Sequence, residues 1–263
     1  MKNMGYFSIL RVYARSALFQ HVSFRFHMVL SLLNSLIGFA VSFGAILLLF
    51  NQTNSINGWS KYELIGLTCL YTALRGLMGL FLLPSLERFV TDVADGEYDH
   101  LLLTPIDSFR HTLVRSWNSM AFIDIGIGVF GILFAIVQIK PHLSVLEGLE
   151  LLICLTSAVF ICAHVMIAAS TLAFWFKRSG WNWVFQTALS MGQYPVNIYP
   201  KWLTFILTWI LPIGFITTVP MQVLFDGGGW SLTGISVIIA LLSRILAKRL
   251  YHLGIRQYMS ASG

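Results

Sequence analysis

Seven histidines, three cysteines and eleven acids are the side chains here with the types that metal binding, nucleophilic attack or proton transfer requires. Their spacing does not bring them together. His21, His27, His100, His111, His142, His164 and His252 show no metal-ligand pattern. His164 alone lies deep in an apolar run, where a hydrogen-bonded packing imidazole is expected rather than a general base. Cys69, Cys154 and Cys162 sit in apolar runs and read as buried thiols. Asp226-Gly227-Gly228-Gly229 has the glycines of a phosphate loop, but it follows no strand and lacks the Gly-Lys-Ser/Thr ending, so it reads as a turn. The chain is therefore expected to hold no catalytic, metal or cofactor site and not to hydrolyse ATP by itself. Two other sets carry information. Arg75 and Asp124 are single charges inside apolar runs. Six of the eleven acids (Glu87, Asp92, Asp95, Glu97, Asp99 and Asp107) crowd into residues 87–107.

The elements that position them follow from composition. The 263 residues are 57% hydrophobic and 11% charged, against roughly 25% charged in an average soluble domain. So few charges cannot cover a water-facing surface. This excludes a soluble enzyme, a disordered chain and a nucleic-acid-binding module, and it predicts an all-α polytopic membrane protein. The net charge of +6 then reflects orientation rather than nucleic acid. No cleavable signal peptide is expected, because the first ~25 residues are amphipathic and basic, without a short apolar core.

A spanning helix needs ~20 apolar residues. The apolar runs place spans at about 27–50, 62–84, 113–138 and 150–176, two adjoining runs between 179 and 225, and a last span at 229–249. With six spans and the N-terminus in the cytoplasm, thirteen of the 17 basic residues fall inside and three outside. Seven spans would put the basic C-terminal tail outside, against the positive-inside rule. One of the two runs therefore does not cross. Pro195, Pro200, Pro212 and Pro220 break helices there, and irregular backbone at membrane depth is tolerated where protein buries it or it lines a cavity. Residues 179–195 are read as the fifth span and 200–225 as a re-entrant hairpin on the outer face. The rival reading makes 181–197 an interfacial helix and 200–223 the fifth span. No repeat or second domain is visible, so 1–263 forms one membrane domain. It is expected in the bacterial cytoplasmic membrane with both termini inside.

Residues 4–25 carry apolar positions at helical spacing with Arg11 and Arg15 off that face, which predicts an interfacial helix. It is an orienting anchor, with or without a cytoplasmic partner. In the loop 85–105, Ser85 is expected to cap a short helix with Phe89, Val90 and Val93 on one face, and Gly96 to end it. Acids face away from an anionic leaflet, so the loop is either a solvated turn or a dock for a cytosolic subunit. Arg75 and Asp124 lie at depths about 5 Å apart at ~1.5 Å per residue. A lone buried charge costs several kcal/mol, so they are expected to pair. Alternatively, Arg75 faces a dimer interface or a substrate path and meets an anionic group. The eight tryptophans cluster at span ends as an interfacial belt.

Val93 to Pro105, reading VADGEYDHLLLTP, resembles the I-x-x-G-x-L-D-x-x-L-L-x-P segment that follows the second span of type-2 ABC exporter permeases, especially the short branch of ~260 residues. Tyr98 departs from the usual leucine. The run from Gln193 to Leu203, followed by Leu211-Pro212 and Val219-Pro220, is similar to the same branch. The resemblance implies six helices with an elbow helix, a cytoplasmic coupling helix and an outer re-entrant gate. It implies Glu87, Asp92, Asp95, Gly96, Glu97, Asp99, Leu102 and Pro105 as the ATPase-coupling loop, and the four prolines as the gate. Its expected partners are a cytosolic ABC ATPase dimer, which would hold ATP and Mg, a second permease subunit (a copy or a paralogue) and the lipid membrane, with no nucleic acid. The implied function is export of an amphipathic substrate such as a lipid, peptide or drug-like molecule. A secondary transporter or channel is the alternative, with Asp124 as its one coupling candidate. An integral membrane enzyme lacks the clustered acids and histidines it needs.

Overall fold

The computed structural model describes residues 25–99, 112–113, 115–140, 144–176, 180–225 and 229–261. The expected interfacial helix, apart from Arg25, lies outside the described residues, as do Leu102 and Pro105. Among the described residues the elements are all helical: α1 (Arg25–Phe50), α2 (Lys61–Asp95), α3 (Ala121–Ile139), α4 (Val145–Thr171), α5 (Trp181–Ser190), α6 (Lys201–Phe205), α7 (Val219–Phe225) and α8 (Trp230–Ala261). Five of these, α1, α2, α3, α4 and α8, are long and apolar enough to cross a membrane. The bent pair Lys201–Ile210 and Gly214–Phe225 brings the count to six if it is one span. The chain is a multi-pass membrane protein.

α2 is the central element. Its residues from Leu64 to Thr72 are all buried. It packs most closely on α3, through small residues. A Cβ on Gly128 would sit 2.4 Å from the Ala73 nitrogen and 2.6 Å from the Cys69 oxygen, and one on Gly131 would sit 2.1 Å from Cys69 Sγ. Backbone contact this close is how helices associate without a hydrophobic drive between them. By contrast, α1 has Ile46 as its one buried residue between Val29 and Phe50, and it rests on the core through Phe39 and Phe43.

The sequence reading ends the second span near residue 84 and starts a new helix capped by Ser85. Instead α2 runs unbroken for 35 residues to Asp95 and stops at Gly96, where φ is +80°. A mid-helix proline leaves the carbonyl four residues back without its donor. Here the backbone N–H of Asn118 supplies it, donating to the Leu80 oxygen at 2.7 Å. Ser85 caps nothing. Its hydroxyl donates to the Ser116 oxygen and accepts from the Ser116 nitrogen, both at 3.0 Å. Residues 116–118 thus lie along α2 as non-helical chain, and α3 starts at Ala121 rather than near 113.

The molecule has two ends. At one, Asn57 and Trp59 in the α1–α2 turn bond to Asn197. At the other, Tyr98 packs with Phe174 and Tyr251. The chain passes from the Tyr98 end to the Trp59 end between Phe174 and Asn197. Ten-residue α5 spans only ~15 Å of that distance. The helix expected over 179–195 gives way after Ser190 to 3-10 turns, Met191–Gln193 and Val196–Ile198. Gly192 lets this turn pack closely on Ile213, since a Cβ there would stand 2.7 Å from Ile213 Cγ2.

Candidate functional site

Three places gather the residues of interest. The first is the charge pair. Arg75 Nη2 donates to Asp124 Oδ2 at 3.0 Å. Asp124 lies in the first turn of α3, not the middle of a helix as its position in the span implies, because the entry is non-helical through 116–118 and turns at 119–120 before α3 begins. It is opposite Arg75 because Gly76 admits the α3 backbone: a Cβ at Gly76 would meet Ile125 N at 2.8 Å and Asp124 Cβ at 2.9 Å. The arginine side chain is 48% exposed and that of the aspartate 15%. Asp124 Oδ1 is buried with no hydrogen-bond partner among the described residues.

The second is the Tyr98 end. The structure sorts the acids here into separate environments. Asp92 is buried and takes an ion pair from Arg115 Nη1. Glu87, Asp95 and Glu97 are exposed on one stretch, and Asp99 is half-buried. Tyr98 is fully buried. Its hydroxyl bonds those of Tyr251 at 2.5 Å and Thr112 at 3.2 Å, and its ring meets Phe89, Phe174 and Tyr258 edge-on at 5.2–6.1 Å. Such aromatic pairs contribute ~0.5–1.5 kcal/mol each beyond their buried area. The segment after α2 is thereby fastened to α8.

The third is the Trp59 end with the bent segment that carries the four prolines. Three of them stand before the start of a helical piece, where a missing N–H costs least: Pro195 before Val196–Ile198, Pro200 before α6 and Pro212 before the π-helical Gly214–Thr218. Pro220 follows that π-helical piece directly, as the second residue of α7. The two limbs, Lys201–Ile210 and Gly214–Phe225, meet at 77°. The chain just before the first limb and the end of the second come to one place. Asn197, Met221 and Phe225 line the same small cavity, about 160 Å³, with Asn57, Trp59 and Glu63. Leu224 O also accepts from Lys140 Nζ, which pairs with Glu147 at 2.7 Å. The first limb exposes Trp202, Phe205 and Trp209. The second is buried from Ile213 to Met221 and is tied by Thr218 Oγ1, which accepts from Val196 N at 3.1 Å. Beside the bend, α4 and α8 complete an apolar groove of about 690 Å³ that includes His164 and Thr208.

Several residues escape a sequence reading. Glu150 is buried in α4, with Oε1 accepting from Gly229 N at 2.9 Å and Thr233 Oγ1 at 3.0 Å, so it caps the start of α8 from another helix. As an acid at a span boundary it reads as a boundary marker. Trp59 is no belt residue. It is buried, and its Nε1–H donates to Asn197 Oδ1 at 3.1 Å. His164 bonds the Phe160 oxygen through Nδ1 at 2.7 Å and stacks on that ring, as a packing histidine does. The three cysteines are buried and free. Among the described residues no three of His, Cys, Asp and Glu converge to hold a metal ion.

The sequence pattern of the family described as "ABC-2 family transporter protein" matches residues 36–262. No curated protein and no solved structure matches the chain.

Proposed function

Because the chain belongs to the ABC-2 family of transporter proteins and is a transmembrane transporter subunit, we propose that it is the permease of an ATP-driven exporter for an amphipathic cargo. Two permease subunits, two copies or a copy and a paralogue, enclose the path. ATP and Mg reside on a separate cytosolic ATPase dimer. In this reading the Tyr98 end faces the cytoplasm, both termini lie there, and the membrane is the bacterial cytoplasmic one.

The observation that carries the coupling half is the sorting of the acids. Glu87, Asp95 and Glu97 are exposed beside a segment that Tyr98 fastens to α8. A push on that segment is transmitted to two long helices at once, α2 and α8. Asp92 belongs to the internal support rather than the docking surface. At the Trp59 end, the common cavity of Asn197 and Phe225 supports a hairpin that enters and leaves on one side. That favours 179–195 as the fifth crossing and 200–225 as the re-entrant outer gate. The gate rests on the Asn57–Trp59–Asn197 contacts, which tie it to α1 and α2.

The test is charge reversal in the reconstituted complex. Glu87→Lys, Asp95→Lys and Glu97→Lys together should leave the permease folded and reduce cargo-stimulated ATP hydrolysis to its unstimulated level. Undiminished stimulation removes the docking assignment.

A further inference from the structure

Arg75 is the one exposed residue between Lys61 and Leu86 on a helix that is otherwise buried or half-buried. It stands 14 residues from the Lys61 end, ~21 Å along the axis, and so lies within the ~30 Å apolar thickness. Its bond to Asp124 uses one end of the guanidinium. Most of its N–H donors are left over, on a side chain that is 48% exposed. Lipid tails offer such donors nothing, and an unmet charge at that depth costs several kcal/mol. Water or an anion must therefore reach this face.

Among the described residues, no acid on the spans of a second copy is placed to supply the anion. Of the acids on the spans, Asp124 is committed to its own Arg75 and its other oxygen is buried. Glu150 is buried against Gly229 and Thr233. Glu63 accepts from the Ser60 backbone at the Lys61 end, and Glu147 pairs with Lys140. The exposed Glu87 stands a further 12 residues along α2, ~18 Å away.

We propose that the face of α2 carrying Arg75 lines a hydrated path, and that Arg75, held in place by Asp124, binds the anionic group of an amphiphilic cargo, a phosphate or carboxylate carried on an apolar chain. This rests on the exporter reading and names its substrate class. Asp124 is the positioning residue. It fixes one edge of the guanidinium and leaves the other as a charged donor pair for the cargo.

The test uses the permease in phosphatidylcholine nanodiscs, with Gly79→Cys as a reporter one turn past Arg75. A Cβ at Gly79 makes only an ordinary 3.6 Å contact with Ala121, and the native cysteines are buried. A charged methanethiosulfonate should label the reporter, since such reagents need hydrated thiol. Dodecyl phosphate should slow labelling, with an apparent affinity about tenfold weaker in Arg75→Gln, the loss of one charge-assisted contact. Arg75→Lys should retain part of the protection, and Arg75→Gln with Asp124→Asn serves if the single variant does not fold. An unlabelled reporter overturns the hydrated face. Equal protection by dodecanol, or undiminished protection in the glutamine variant, overturns recognition of the anion. Protection by inorganic phosphate alone shows a free-anion site and overturns the amphiphile. None of these readouts involves the ATPase, so the exporter reading stands or falls separately.

Discussion

The Asp92–Arg115 pair is the sharpest test of how the Tyr98 end is built. Asp92 looks like one more acid of an exposed loop, yet its side chain is 7% exposed and that of Arg115 is 23%. Removing one partner of a buried pair costs about 3–5 kcal/mol, because the other charge is stranded. Partial access of water to Arg115 puts Asp92→Ala at the low end or below, about 2–3 kcal/mol. At roughly 2–4 °C per kcal/mol for a chain this size, the melting temperature in detergent should fall by about 5–10 °C. Replacing both partners by apolar residues of similar volume, Asp92→Leu with Arg115→Met, should recover most of the loss, since such exchanges are often neutral. Asp95→Ala and Glu97→Ala should change little. The assay is thermal unfolding of the purified permease read by thiol-reactive dye, through Cys69, Cys154 and Cys162, which are buried until it opens. If the Leu/Met double variant loses the sum of the two single losses, the pair does not exist and Asp92 belongs with the exposed acids.

Two further outcomes follow from the packing. Gly128→Ala should destabilise strongly, well beyond the ~1–3 kcal/mol of ordinary overpacking, because its methyl meets backbone at 2.4 Å. Gly126→Ala, with nothing within 4 Å, should be close to neutral. Their melting temperatures measured side by side check this, and equal losses contradict the close α2–α3 contact. Tyr98→Phe should cost about 1–2 kcal/mol, by removing the buried hydroxyl's bonds to Tyr251 and Thr112. Tyr98→Leu, the residue usual in this motif, should cost more by also removing the edge-on ring contacts. If leucine is tolerated as well as phenylalanine, the fastening to α8 is unimportant.

The all-helical, multi-pass membrane fold and the closeness of Arg75 to Asp124 were legible in the sequence, because low charge and the cost of a buried ion are strong constraints. The details that failed were ones where a distant segment supplies what a local rule says is missing. Pro84 and Ser85 together look like a helix end. They are not one, because Asn118 donates to the carbonyl that proline frees and Ser116 occupies the serine. The same pairing keeps 116–118 out of helix and moves the start of α3 to Ala121, against a span read as starting near 113. Glu150 is silent in the sequence, and Asp92 reads there as one more acid of the coupling loop, for a related reason. An acid near a span boundary resembles any solvated acid until the helix end or arginine that it serves is placed beside it. The glycines of α3 could have been found, since Gly128 and Gly131 share a face with Ala121 and Ala135, the small-residue spacing of a close helix contact.

The central claim is that this chain is one subunit of an ATP-driven machine. The most direct measurement is purification of the tagged chain in mild detergent from its native host, with mass spectrometry of what accompanies it. The account predicts an ATPase with a G-x-x-x-x-G-K-[ST] loop in stoichiometric amount, lost when Glu87, Asp95 and Glu97 are reversed in charge. A chain that purifies alone or only with copies of itself, even after crosslinking, contradicts the account and moves the ATPase-independent transporter into its place.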